Sequence, residues 1–221
     1  MSPAGQALLA ALRARRNARN IAGLRRFGVV TRHEPLGIDA PTLRALARPH
    51  RHDHALALEL WDSGVMEAMA CATLVDDPGQ ITSAQMERWV RAADCWNLTD
   101  ALAFLFDRTK LAEKKAHAWS ARRPEFIKRT GFALMAGLAV HRKELPDEIF
   151  LGFLPVIRRE ADDGRNFVKK AVNWALRQIG KRNPRLRRAA IAEARRIARR
   201  DTPAARWNAR DALRELGAGT V

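Results

Sequence analysis

Apolar residues recur at three- and four-residue steps along almost the whole chain, the spacing that gathers them on one face of an α-helix. Alternating or β-branched runs bounded by turns are nearly absent, Val29-Val30 being the one short exception, so the pattern predicts an all-α protein. Turn and helix-start signals punctuate it at Gly37 to Pro41, Ser63-Gly64, Asp77-Pro78-Gly79, Arg123-Pro124, Leu145-Pro146, Asp163-Gly164, Asn183-Pro184 and Thr202-Pro203. Gly5 to Asn20 reads as a first helix, with Leu8, Leu9, Leu12 and Ile21 on its period, rather than as an Arg-rich transit peptide.

Between these signals the helices group in pairs: Asp53–Asp62 with Val65–Asp76, Ser83–Ala92 with Cys95–Arg108, Leu111–Ala121 with Glu125–His141, Pro146–Asp162 with Arg165–Lys181, and Pro184–Arg200 with Pro203–Leu216. The pairs recur about every 30 to 40 residues, near the short end of the HEAT and armadillo range. The expected architecture is one α-solenoid domain over residues 1–221, with N-terminal capping helices in 1–50, helical pairs in 53–216 and a basic concave face. A compact helical bundle is the alternative, because the repeats share pattern rather than sequence.

Charge adds a partner to this scaffold. Among 221 residues, 40 are Lys or Arg and 24 are Asp or Glu, a formal net charge of +16 that calls for a polyanion, nucleic acid first. Up to Ser120 there are 16 basic and 13 acidic residues, and beyond it 24 and 11, so most of the excess lies in the C-terminal half. No run approaches the roughly 20 apolar residues of a membrane span, so no membrane partner is expected. Cys71 and Cys95 are too few for a disulfide framework and lack metal-ligand spacing, which fits a reducing compartment.

Three segments carry candidate chemistry. In Arg165–Lys181 the core stripe leaves Lys170, Trp174, Arg177 and Lys181 stacked on another face, an aromatic among cations suited to a phosphate backbone and a sugar or base. A Trp packed on aliphatic Lys and Arg stems is the structural alternative. In Asp94-Cys95-Trp96-Asn97-Leu98-Thr99-Asp100, Trp96 and Asp100 share a face near a helix start, with Asp94 read as the N-cap. Asp100 alternatively serves the helix dipole or a neighbouring Arg. In Phe126-Ile127-Lys128-Arg129-Thr130, Lys128 and Arg129 taken alone read as a solvated face.

Other signals carry less. His50, His52 and His54 with Asp53 read as exposed histidines at a helix start capped by Asp53, not as a metal site. Cys95 has no His near it in sequence, and burial in the core is expected. The phosphate-loop, dinucleotide and nucleophile-elbow motifs are absent, so no cofactor is indicated.

The strings Arg26-Phe27-Gly28-Val29, Leu60-Trp61-Asp62-Ser63-Gly64 with Glu67, Trp96 to Asp100, Phe126 to Thr130 and, most specifically, Phe167 to Arg177 resemble the AlkD-type DNA alkylation-repair glycosylases, over about Ile21 to Leu216. That resemblance implies a HEAT-like solenoid that hydrolyses the N-glycosidic bond of cationic alkylated purines, chiefly 7-methylguanine and 3-methyladenine, in duplex DNA without flipping the damaged nucleotide into a pocket. It implies Asp100 as the catalytic carboxylate, Trp96 and Trp174 as the aromatics on the lesion's deoxyribose, and Arg129 as a backbone-binding residue. Lys128, Lys169, Lys170, Arg177, Lys181 and Arg206 complete the expected DNA-binding set. The expected protein is a cytoplasmic monomer in base excision repair, acting in the bacterial cytosol or nucleoid. The chain departs from the family segment at Asn97, where an acid commonly follows the Trp. A non-catalytic DNA- or RNA-binding HEAT-repeat protein is the competing reading, and a peptide-binding scaffold is disfavoured by the short array.

Overall fold

The computed structural model describes residues 1–217, and among them the regular structure is helical throughout, with a single isolated bridge between Glu34 and Val65. The chain divides into two compact units, Met1–Thr109 and Lys110–Val221. Among the described residues no helix is long and apolar enough to cross a membrane, and no group of three or more His, Cys, Asp and Glu could hold a metal ion.

The N-terminal unit contains α1 (Pro3–Arg13), α2 (Ala18–Gly23), α3 (Ala40–Ala47), α4 (His54–Trp61), α5 (Met66–Val75), α6 (Ser83–Ala92) and α7 (Trp96–Phe106). Ser2, Asn17, Asp39, Asp53 and Thr82 begin their helices by accepting a backbone N–H three residues on, which satisfies one of the donors left over at each N-terminus. The single first helix expected over Gly5 to Asn20 is broken. Asn17 donates its N–H to Leu36 O at 2.8 Å and caps α2 through Asn20 N, so a tertiary bond outcompetes helix continuation. Gly37 makes the approach possible: its φ is +73°, and a Cβ there would lie 2.6 Å from Asn17 O.

The core of this unit is aromatic. Trp61 and Trp89 stack with ring centroids 4.2 Å apart and Phe106 lies 6.5 Å from Trp89, all buried with Met86, Leu98 and Leu102. These contacts seat the inner face of α7, whose other face carries Trp96 and Asp100. Glu67 on α5 is 2% exposed and accepts from Leu36 N at 2.7 Å, Gly37 N at 2.6 Å and Ile38 N at 3.3 Å. It thereby fastens an irregular segment to α5 with charge-assisted bonds.

The C-terminal unit contains α8 (Ala112–Ser120), α9 (Glu125–His141), α10 (Asp147–Arg159), α11 (Asn166–Gly180), α12 (Pro184–Ala198) and α13 (Pro203–Glu215). Helix α9 is buried continuously from Arg129 to Ala139, the signature of a helix surrounded by others, here α8 and α11. Gly131 permits the closest contact, since a Cβ would collide with the Ser120 backbone at the end of α8. Asn173 Nδ2 on α11 donates to Asn208 O on α13, and Asn208 Nδ2 donates to Ala161 O in the segment that follows α10, both at 3.1 Å. Arg182 closes the end of α9: its guanidinium lies 4.0 Å from the Phe150 ring and donates to Ala139 O, Arg142 O, Lys143 O and Leu145 O.

Candidate functional site

In the N-terminal unit, α5 lies between α3 and α7, and the three helices enclose a cleft of about 400 Å³. Leu43, Ala70, Leu74 and Phe104 give it apolar walls, and Trp96 and Asp100 both line it, one turn apart on α7. Trp96 is held by its indole Nε1, which donates to Phe27 O at 2.9 Å. That carbonyl is presented by a 3-10 turn, Leu24–Phe27, closed by Gly28 at φ +72°. Asp100 is the fifth residue of α7 and half-buried. It lies past the first turn, where the helix dipole has faded, so the dipole alone does not account for it.

Asp94 is not the N-cap of α7. The helix begins after Cys95 without a side-chain cap, while Asp94 accepts from Thr31 Oγ1 and Arg32 N, both at 2.8 Å. The acid is drawn away by a neighbouring loop that offers two donors at once. Cys95 is buried, and burial pushes its thiol up to about 12, which leaves no nucleophile at working pH. His54 departs from the exposed setting expected of it: its Nδ1 lies 2.6 Å from Oδ1 of the buried Asp76, whereas His52 is open to solvent. Asp53 caps α4 as expected.

Sequence reading passed over two cations here. Arg44 on α3 and Arg108 just after α7 line the same cleft, and neither side chain makes an ion pair or hydrogen bond among the described residues. Their only signal in the sequence is isolation: no acid stands three or four residues away on the same helical face.

In the C-terminal unit, α11 carries Lys169, Lys170, Trp174 and Arg177, with Lys181 at its C-terminal cap. Lys170 is exposed and Trp174 half-buried. The neighbouring cations are engaged with α13: Arg177 Nη1 lies 3.7 Å from Asp211 and 3.6 Å from Glu215, Lys181 Nζ lies 2.5 Å from Glu215, and Lys169 Nζ sits 4.8 Å from the Trp207 ring. Lys181 holds the Glu215 carboxyl below its ordinary range. Arg206, on α13, is exposed and pairs with Asp201. Of the cationic row read from the sequence, Arg177 and Lys181 are thus shared with acids on α13, Lys169 lies on an aromatic ring of the same helix, and Lys170 stays exposed.

Lys128 and Arg129 are not a solvated face. Lys128 Nζ is 2.5 Å from Glu160 and 3.5 Å from Asp163, and Arg129 is 6% exposed with Nη1 donating to Phe167 O at 2.8 Å. Both residues fall on the stretch of α9 that packs against α11, which periodicity of the apolar residues alone does not reveal. Burial opposes the charge on Glu160 and Asp163, but hydrogen bonds from Arg159 and Lys128 to the first, and from Arg165 to the second, hold both carboxyls below their usual range.

Comparison with known proteins agrees with the helical pairing. The solved structure of a member of a family of proteins related to the HEAT-like repeat DNA glycosylases, with affinity for branched DNA structures, superposes with a TM-score of 0.79 at 18% sequence identity, covering 96% of this chain and 95% of that one. It places the fold among HEAT-like helical arrays. No curated protein matches the chain. The model of the DNA alkylation repair enzyme family matches residues 8–216, and the chain belongs to that family.

Proposed function

We propose that the protein is a DNA glycosylase that hydrolyses the N-glycosidic bond of cationic alkylated purines, 7-methylguanine and 3-methyladenine, in duplex DNA. The observation that carries this reading is the placing of a carboxylate, Asp100, one helical turn from an anchored tryptophan, Trp96, in one apolar-walled cleft.

A purine alkylated at N7 or N3 already carries positive charge, so its glycosidic electron pair returns to the ring without a proton from a general acid. The C1′–N bond breaks, oxocarbenium character develops on the deoxyribose, and water supplies the new C1′–O bond while losing a proton. Asp100 stabilises the sugar cation and orients that water. Trp96 and Trp174 take the roles of π-faces against the same cation, shielding it from bulk water. Lys169, Lys170, Arg177, Lys181 and Arg206 hold phosphates, with Arg129 and Lys128 fixing the neighbouring helix. Ion pairs with partly exposed partners are worth about 0–1 kcal/mol, so phosphate readily competes for these cations. Selectivity follows from leaving-group charge, with no transfer of the damaged base into a pocket.

Non-catalytic DNA binding is the second reading, favoured by the affinity of the solved relative for branched DNA and by Asn97 standing where the family segment commonly has an acid. Incubating the protein with duplex DNA carrying a single 7-methylguanine separates the two. Free 7-methylguanine accumulates if the enzyme reading holds; tight, salt-sensitive binding without release assigns the protein to the binding class.

A further inference from the structure

The stretch Lys181–Arg200 holds nine cations and one acid, Glu193. Most of it is α12, which buries Leu186, Ala190, Glu193, Ala194 and Ile197 against α10, α11 and α13. Cations flanking that buried stripe find partners. Arg185 pairs with Glu148 at 2.9 Å, Arg187 donates to Leu216 O, Arg196 lies 2.9 Å from Glu193, and Arg200 pairs with Asp162.

Arg188 and Arg195, with Arg199 at the C-terminal cap, differ. At about 100° per residue the three fall within about 40° of one another, opposite the buried stripe. All are exposed, and their side chains make no ion pair or hydrogen bond among the described residues. The helix dipole favours a cation at Arg199 but offers nothing to Arg188, in the second turn. Ala192 lies exposed on the same face between Arg188 and Arg195, so nothing bulky separates their guanidiniums. With about 1.5 Å of rise per residue the row is about 16 Å long. Because α10, α11 and α13 pack on the other side, it lies across α12 from the cations of α11.

Unpaired arginines at fixed spacing suit phosphate, which a guanidinium grips through two N–H bonds while keeping its charge. The face formed by Arg188, Ala192, Arg195 and Arg199 carries no aromatic on which unpaired bases could stack, and no apolar anchor for a membrane or a protein partner. A double-stranded backbone asks for none of these: over about 16 Å it presents about ten phosphates, at one per ~1.7 Å of duplex axis. We propose that the outer face of α12 is a second docking surface, for duplex DNA, so that one molecule holds two duplex segments at once. Arg188, Arg195 and Arg199 each donate to phosphate oxygens, and the small Ala192 lets the backbone approach. The choice of DNA rests on the reading of the protein as acting on DNA, with the first duplex held at α11.

The test uses the full chain and two short undamaged duplexes of one sequence, the first carrying a donor dye and the second an acceptor. Anisotropy at limiting DNA reports the first duplex bound, and energy transfer at excess DNA reports two duplexes on one molecule. A triple variant, Arg188→Ser with Arg195→Ser and Arg199→Ser, removes the row. Independently, Ala192→Glu sets an acid at an exposed helical position within pairing distance of Arg188 and Arg195. Wild type is expected to give energy transfer. Each variant should weaken the second duplex at least about tenfold and keep first-duplex affinity within about twofold, because the α11 contacts persist. In the triple variant the second event should also lose about 2.7 from its slope of log affinity against log salt, the share of three phosphates. Energy transfer that is absent in wild type while the first duplex binds, that survives in either variant, or that an RNA duplex of the same sequence matches, overturns the surface. Failure of the first duplex to bind would remove the DNA reading itself, and the surface with it.

Discussion

The N-terminal unit carries 13 basic and 12 acidic residues, the C-terminal unit 27 and 12, yet the near-neutral one holds the unpaired cations that line a cleft. The difference lies in where the carboxylates are spent. In the N-terminal unit Asp39, Asp53, Glu59, Glu67 and Asp94 accept backbone N–H groups, fastening caps and loops. Arg19, Arg26, Arg44 and Arg108 are left without acids. In the C-terminal unit Glu160, Asp163, Asp211 and Glu215 accept from Lys and Arg side chains, so a large basic excess is partly neutralised in place. Net charge alone therefore does not tell which cations line a cleft without an acid beside them. The architecture of hydrogen bonding decides instead.

Substitutions break this contrast from either side. The largest effect is expected from Glu67→Leu, which strands three backbone donors and should cost about 3 kcal/mol of unfolding free energy in a denaturant melt, the usual scale for buried groups left unsatisfied. A loss below about 1 kcal/mol would mean that the Leu36–Ile38 segment finds other acceptors. In the C-terminal unit, Arg182→Ala removes the guanidinium that closes α9 and should cost about 2 kcal/mol in the same assay.

Lys128→Met tests the paired acids by pH. Glu160 and Asp163 have folded-state values below their unfolded ones, so their stabilisation is present above the ordinary carboxylate range and is lost as pH falls through the lowered values. The variant should be less stable than wild type at about pH 7, with the gap shrinking toward about pH 2 as both carboxyls protonate. A gap independent of pH would show that Lys128 contributes through its packing alone.

The smallest effect is expected from Arg108→Ala. Loss of one phosphate contact lowers the slope of log affinity against log salt by about 0.9 for duplex DNA, and an unchanged slope would place this cation away from the backbone.

Much of the helical architecture was legible because periodicity and punctuation act locally: Ser83–Ala92 and Glu125–His141 occur as expected to the residue, and Asn183, Thr202 and Asp53 cap as their types suggest. Expectations failed where a distant partner intervened. Leu36 breaks the first helix at Asn17, Thr31 and Arg32 draw Asp94 from its cap, and Phe167 with Glu160 and Asp163 buries the Lys128-Arg129 pair. Of the site, the Trp96–Asp100 spacing was readable from helical geometry. The Phe27 carbonyl that anchors Trp96 was not, being 69 residues away along the chain.

The central claim concerns Asp100, and the most direct measurement follows release of 7-methylguanine from duplex DNA under single-turnover conditions by wild type and Asp100→Asn, with DNA affinity measured alongside. The account predicts that release falls by about a thousandfold or more while affinity is kept or rises, because a group that stabilises transition-state charge is removed along with a negative charge facing DNA. Equal release rates in the two proteins would contradict it and remove Asp100 from the chemistry.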